Sequence, residues 1–217
     1  MLKINQVSKS FARGTDTIQV LERFTLEVAT GETATLQGPS GCGKTTLLLI
    51  ASGLLKPDAG RVEVDGQSLY NMDAGQRADL RAAKIGIVFQ QFHLMPYLSV
   101  LENIQLPAVV RPSCDRDRAE ELASRFGLQD RLRHRPAELS IGERQRTAFA
   151  RALFSRPACL MADEPTANLD DANATIVLDA VEAFARNGGC VLLVSHDARS
   201  AERANRVISF PPRKVMS

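Results

Sequence analysis

The sequence predicts an α/β fold with an antiparallel β-region at the N-terminus, a parallel core sheet and an inserted helical segment, and three observations carry that reading. First, the glycine-rich stretch Gly38-Pro39-Ser40-Gly41-Cys42-Gly43-Lys44-Thr45-Thr46 stands between a short strand-like run and an apolar helix. Second, three continuous apolar runs, 85–89, 159–162 and 190–194, each end in polar residues: Gln90, then Asp163 and Glu164, then His196. Buried parallel strands read this way, and ligands bind beyond their C-terminal ends. Third, residues 91–156 switch to helical periodicity between the first and second of these runs. At 217 residues the chain is long enough for one substantial core. We therefore read residues 1–217 as a single domain, with 1–90 and 157–217 as the α/β core and 91–156 as a helical subdomain.

Taken in order, residues 2–7 form a strand in which Leu2, Ile4 and Val7 face different sides. A turn at Gly14-Thr15-Asp16 leads to 18–21, and 24–28 alternate as a half-buried strand. Phe11 falls between the first two strands, either as a stacking platform for a flat ring or as an ordinary core aromatic. Residues 33–37 are the strand before the glycine stretch, and the helix after it ends near Gly53. Residues 61–64 form a strand closed by the turn signal Asp65-Gly66, and 77–81 a polar helix. Ala119, Leu122, Ala123 and Phe126 mark one helix within 115–127; Ala148, Phe149, Ala152 and Leu153 mark another within 142–155, stopped by Pro157. A third helix, 171–186, turns Ile176, Val177, Ala180, Val181 and Phe184 to one face. The loop 92–97 is apolar and aromatic yet bounded by turn signals, which predicts a surface that something else covers. The tail 211–214 is expected to fray.

The glycine stretch fits G-x-x-x-x-G-K-[ST], a loop whose backbone amides turn inward around a phosphate. Lys44 then reaches the β- and γ-phosphates, the Thr45 hydroxyl sits on Mg²⁺, and a nucleoside triphosphate is the expected ligand. Gln90, at a strand end, suits a contact to Mg²⁺ or to an attacking water; read alone, such a residue is more often a solvated loop residue. Cys42 is either a redox-sensitive thiol or simply a small residue tolerated in the loop. His93 and His134 have no second ligand at metal spacing and are read as solvent-facing.

Composition narrows the classes. With 27 basic and 25 acidic residues, a net charge of +2 gives no case for nucleic acid as a partner. No apolar run approaches the roughly 18 residues of a membrane span, so membrane attachment requires a partner. The cysteines at 42, 114, 159 and 190 lack C-x-x-C spacing, which points away from zinc and disulfides and towards a reduced, cytoplasmic chain.

The glycine loop, Gln90, Leu139-Ser140-Ile141-Gly142-Glu143-Arg144-Gln145, Met161-Ala162-Asp163-Glu164-Pro165, Asn168-Leu169-Asp170 and His196 occur in one order along the chain. This order resembles the ATP-binding subunits of ABC transporters and covers nearly the whole chain. The runs 88–96 and 142–146 are most similar to the lipoprotein-release and macrolide-export (mechanotransmission) group. The resemblance implies ATP and Mg²⁺ as cofactors and the P-loop ABC ATPase fold. It implies Asp163 as the Walker B residue holding Mg²⁺, Glu164 as the general base, and Gln90 as the link between the metal site and a membrane partner. It further implies His196 as the switch histidine on the γ-phosphate, Phe11 as the adenine platform, and Asp170 as a residue communicating across a dimer. Ser140, Gly142 and Glu143 fall in the signature, which caps ATP held by a second copy in a head-to-tail dimer. The implied partner is an integral membrane permease, placing the chain on the cytoplasmic face of the inner or plasma membrane. The implied work is export or membrane extraction, the alternative being mechanotransmission of the cell-division type that moves no substrate. Ile141 stands where the family has glycine. A β-branched residue disfavours positive φ, so a strained helix start is expected, with activity surviving at a reduced level.

Overall fold

The computed structural model describes residues 1–14, 16–110, 116–167 and 169–210. Thr15 of the first turn, Cys114, Asp115, Asn168 and the 211–214 tail lie outside the described residues.

One sheet is antiparallel, in the order β2-β1-β4-β5, with β1 at Leu2–Arg13, β2 at Asp16–Val28, β4 at Ala59–Val64 and β5 at Gln67–Ser68. β1 and β2 run further than the alternation suggested, so Phe11 lies within β1 opposite Ile18 rather than between two strands. Leu2, Ile4 and Val7 also share one buried face instead of facing different sides. Gln6 adopts a left-handed φ of 48° where the register shifts between Ile4 and Val7. That irregularity returns Val7 to the core side, as a bulge does. Asp65 and Gly66 form the two-residue turn between β4 and β5, both at positive φ (51° and 78°), which the primed hairpin turn demands.

The second sheet is wholly parallel, in the order β6-β7-β8-β3-β9. Its strands are β3 (Thr33–Gln37), β6 (Ile85–Val88), β7 (Cys159–Asp163), β8 (Cys190–Val194) and β9 (Arg206–Ser209). The register sets Val88 beside Ala162, Asp163 beside Val194 and Leu36 beside Val194, so these strands stop along one edge. Alternation divides the sheet between two cores. Met161, Leu192 and Val194 join Leu2, Ile4, Leu47 and Ile50 beneath the antiparallel sheet, while Leu160, Ala162, Val191 and Leu193 face the helices on the other side.

The helices are α1 (Lys44–Ala51), α2 (Ala74–Lys84), α3 (Val100–Gln105), α4 (Arg116–Arg125), α5 (Ile141–Phe154), α6 (Asp171–Arg186) and α7 (Ala198–Glu202). Capping boxes start three of them, at Asp73/Gln76, Ser99/Glu102 and Ser140/Glu143. The α3–α5 segment shares its core with the sheet: Phe126 and Phe149 sit among Leu160, Val191 and Leu193. β6 lies hard against α5, because a Cβ at Gly86 would stand 2.5 Å from the Ala152 carbonyl oxygen. Among the described residues, no helix is long and apolar enough to cross a membrane.

Candidate nucleotide site

A cleft of about 480 Å³ opens at the C-terminal edge of the parallel sheet. It gathers Phe11 from β1, Ser40, Gly41, Gly43, Lys44, Thr45 and Thr46 from the loop after β3, Gln90 after β6, Asp163 and Glu164 at the end of β7, and His196 after β8. Residues far apart in sequence meet here because the strands that carry them end in register.

The glycine loop is shaped by three different constraints. Gly41, at φ 75°, would have open space at its Cβ, so its backbone can approach a ligand closely. Gly43, at φ 112°, caps α1, and a Cβ there would stand 2.7 Å from Val20 Cγ1. Gly38 is held by packing, since its Cβ would come within 2.8 Å of the Phe210 carbonyl. Lys44 Nζ donates to the carbonyls of Gly38 (2.7 Å) and Pro39 (2.9 Å). Cys42 is buried among core residues, its Sγ 3.8 Å from Lys44 Nζ, and it forms no disulfide. Thr45 Oγ1 donates to Asp163 Oδ2 at 2.8 Å. Burial pushes the Asp163 carboxyl above the ordinary carboxylate range; the Thr45 bond and Lys44 pull it back, and Glu164 pushes it further up. A hydroxyl and a carboxylate, in contact in a cleft with an amide, form the hard-oxygen donor set that suits Mg²⁺.

Glu164 is the strained residue of the cleft, with φ at 50° and its amide donating to the Val194 carbonyl at 2.7 Å. Left-handed non-glycine residues persist where the surrounding structure enforces them. The turn sets Glu164 Oε1 2.8 Å from His196 Nδ1. The carboxylate is largely buried and the imidazole largely exposed. Behind them the Thr166 hydroxyl donates to Asp197 Oδ2 at 2.7 Å, joining the segment after Glu164 to the one after His196.

Phe11 is 40% exposed and lines the cleft, which rules out the core-aromatic alternative. Lys9 Nζ stands 5.5 Å from its ring centroid. The neighbouring strand segment is tied by Asp58, which accepts from Lys9 Nζ (2.6 Å), the Ser10 amide (2.7 Å) and the Ser10 hydroxyl (2.8 Å). These bonds, led by Lys9, hold the Asp58 pKa at about 2. Because this lies below the unfolded value of about 3.9, the stabilisation is complete above that pH and is lost as pH falls towards 2. Asp58→Asn is expected to flatten that part of the acid unfolding profile and to weaken nucleotide affinity by roughly threefold through a looser Phe11 strand. Titrating a fluorescent ATP analogue against both proteins checks it; unchanged affinity would separate Asp58 from Phe11.

Ser140, Gly142 and Glu143 do not line this cleft. They begin α5, where the Ser140 hydroxyl accepts the Glu143 amide (3.2 Å) and Glu143 Oε2 accepts the Ser140 amide (2.8 Å). Glu143 Oε1 also accepts from Arg131 Nε at 2.8 Å. Burial raises the Glu143 carboxyl, but the bonds to Ser140 and Arg131 outweigh it and leave the pKa lowered. Gly142 is buried, and a Cβ there would meet the Asn173 side chain at 2.8 Å. Asn173 is clamped by both Asp170 oxygens (2.9 and 2.8 Å), so Asp170, the N-cap of α6, braces the signature from behind. Ile141 corrects the expectation of strain: it is the first helical residue of α5, is not among the positive-φ residues, and leaves its side chain 47% exposed.

Three contributors escaped sequence reasoning because they act over long separations: Asp58, Asn173 and Arg151. Arg151, on α5, donates to the carbonyls of Phe92 (2.6 Å) and His93 (2.7 Å), two consecutive left-handed residues just after Gln90. Burial lowers the pKa of its guanidinium. It fastens the helix begun by Ser140 to the apolar loop. In that loop Phe92 and Leu94 pack against the helical core, while Met95 and Tyr97 stay exposed, Tyr97 at 85%. His93 is exposed as expected, its ring edge-on to Phe89, whereas His134 is half-buried.

The ABC transporter family model matches residues 21–167. The lipoprotein-releasing system ATP-binding protein LolD 1 of Rhodopirellula baltica is 42% identical over 209 residues, spanning 94% of this chain and 91% of that protein. An uncharacterized ABC transporter ATP-binding protein of Escherichia coli K12, YbbA, is 42% identical over 96% of this chain and 93% of its own length. Among solved structures, the dimeric post-hydrolysis state of the ATP-binding cassette MJ0796, bound to ADP and Pi, superposes with a TM-score of 0.91 at 35% identity, over 97% of this chain and 94% of that one. Family match, full-length relatives and cassette fold agree: this chain belongs to the ABC transporter family, as an ATP-binding cassette.

Proposed function

We propose that this cassette hydrolyses ATP between two head-to-tail copies of itself and drives a separate membrane permease, in export or membrane extraction, from the cytoplasmic face of the membrane. The observation that carries the chemistry is the junction of Lys44, Thr45, Asp163, Glu164 and His196 in one cleft. Phe11 stacks on the adenine, and the loop amides with Lys44 hold the phosphates, the ammonium exchanging the Gly38 and Pro39 carbonyls for phosphate oxygens. Thr45, Asp163 and Gln90 would hold Mg²⁺, which spreads the phosphate charge when bound. Glu164 takes the proton of the attacking water, and His196, bonded to its Oε1, orients that carboxylate beside the γ-phosphate.

The dimer reading draws support from two facts. Ser140 and Gly142 lie outside the cleft of their own chain, and the Ile141 and Gly142 amides, which the Ser140/Glu143 capping box does not engage, suit an anion brought by another copy. The MJ0796 cassette is dimeric in its structure. Ile141, unstrained and exposed beside that helix end, then packs on the second copy. Ile141→Gly is expected to weaken ATP-dependent dimerisation roughly threefold to tenfold, by loss of apolar burial and a floppier helix start. Sedimentation with ATP measures this, and stronger dimerisation would restore the strain account.

The permease docks on the loop 92–97, within the helical subdomain 91–156, and Arg151 passes its movement to α5. Lipoprotein-releasing relatives support a partner that extracts a membrane-held substrate. Affinity purification of the cassette from solubilised membranes should bring down an integral membrane protein. Tyr97→Glu should abolish that capture while leaving ATPase activity of the isolated cassette within roughly twofold. Leu94, half-buried on the helical core, is a poorer choice, because a charge there would cost folding. Undiminished capture by Tyr97→Glu would move the docking surface elsewhere.

A further inference from the structure

At the N-terminal end of the parallel strands, away from the nucleotide cleft, a cavity of about 360 Å³ lies where α4, the end of α5 and the turn between α6 and β8 meet. Its floor is apolar. Leu122 and Leu153 are buried there, and Phe184 covers the turn so closely that a Cβ at Gly189 would stand 2.2 Å from its ring. Its rim is cationic, formed by Arg118, Arg125 and Arg156.

Arg118 is half-buried, whereas Arg125 and Arg156 are exposed at the cavity mouth. Arg118 Nη1 pairs with Glu121 at 3.1 Å and Nη2 donates to the Leu153 carbonyl at 3.5 Å, but its Nε is buried with no hydrogen-bond partner. Among the described residues, neither Arg125 nor Arg156 forms an ion pair. Arg156 reaches the rim from a left-handed backbone at φ 50°, a conformation that needs support from its surroundings. Among the described residues, Glu121 is the carboxylate in an ion pair with this rim. An arginine fork matches the oxygens of a phosphate two at a time, and a floor of leucine and phenylalanine takes a carbon body. The volume falls at the lower end of the range for ligand cavities, which limits the occupant to a small molecule or a headgroup.

We propose that this cavity is a second anion site, taking an organic phosphate with a compact apolar or flat body. No residue of the nucleotide cleft lines it, so the two sites are distinct. An occupant would clasp α4 to the α6–β8 turn and so join the helical segment to the sheet. A soluble phosphate ester and the headgroup of an anionic phospholipid share this chemistry, and the experiment separates them.

The test uses the full chain saturated with ADP, so that the nucleotide cleft is occupied, and titrates phenyl phosphate by calorimetry. A single further site is expected, binding phenyl phosphate at least roughly tenfold more tightly than inorganic phosphate because of the apolar floor. The double variant Arg125→Ala/Arg156→Ala should keep its melting temperature and ADP affinity yet lose phenyl phosphate binding by at least roughly tenfold. Should the double variant fail to fold, Arg125→Gln alone is expected to give a smaller loss of the same kind. Flotation with phosphatidylglycerol vesicles, and not with phosphatidylcholine, lost in the arginine variant, would assign the headgroup as the source; phenyl phosphate binding without flotation would assign a soluble ester. Absence of binding to either probe by the ADP-saturated protein, or equal binding by the arginine variant, overturns the proposal.

Discussion

Glu164→Gln is expected to keep ATP affinity and lower turnover by roughly 10²–10⁴, the contribution of a positioned general base. Glutamine matches glutamate in shape and retains an oxygen that can sit near His196 Nδ1, now 2.8 Å from Oε1. It also keeps the backbone amide that donates to Val194 and so leaves the left-handed turn undisturbed. Only the proton acceptor is removed. ATP should therefore bind, close two copies on one another and remain unhydrolysed, so the variant accumulates as an ATP-bound dimer. Steady-state phosphate release and sedimentation with ATP measure the two halves of this result. Near-normal turnover would take the base away from Glu164 and leave another cleft residue to fill the role.

Lys44→Met is expected to lower ATP affinity by roughly 10²–10⁴, as two charge-assisted contacts of about 1.5–3 kcal/mol each are lost. The side chain is buried, and methionine has a comparable length, so the packing around α1 is largely preserved. What disappears is the ammonium that now bridges the Gly38 and Pro39 carbonyls and would face phosphate oxygens. Calorimetry with ATP reads the loss, and a melting temperature close to that of the parent protein excludes simple unfolding. Retained affinity in a folded variant would place phosphate recognition in the loop amides alone.

The cleft was legible in the sequence because its parts are local signals set on a regular frame. Each strand that supplies a polar end is a continuous apolar run, and parallel pairing brings such ends to one edge. Ser140 and Glu143 likewise read as a helix start, three residues apart ahead of an apolar face. What remained hidden depends on pairings between distant residues or on backbone geometry. The reach of β1 past Phe11 needed β2 beside it, and the burial of Val7 needed the irregularity at Gln6. Gly38 opens the glycine loop, and its packing against Phe210 is a constraint that no motif mentions. Arg151 grips carbonyls 58 and 59 positions away, and Asp58 holds a strand 48 positions before it. Strain at Ile141 required a positive φ, whereas the residue opens α5 at helical φ, which a β-branched side chain accepts.

The claim on which the functional account rests is that the catalytic cleft of one copy is completed by the α5 start of another. Mixing two inactive variants tests it most directly. Lys44→Met loses ATP from its own cleft but keeps an intact Ser140 end; Ser140→Arg keeps the cleft but blocks its own helix start. Neither alone should hydrolyse ATP appreciably. Their mixture contains dimers in which the sound cleft of one copy faces the sound helix start of the other, and phosphate release should recover to roughly a quarter of the parent rate by random pairing. A mixture no more active than its two components measured separately would contradict a site shared between copies.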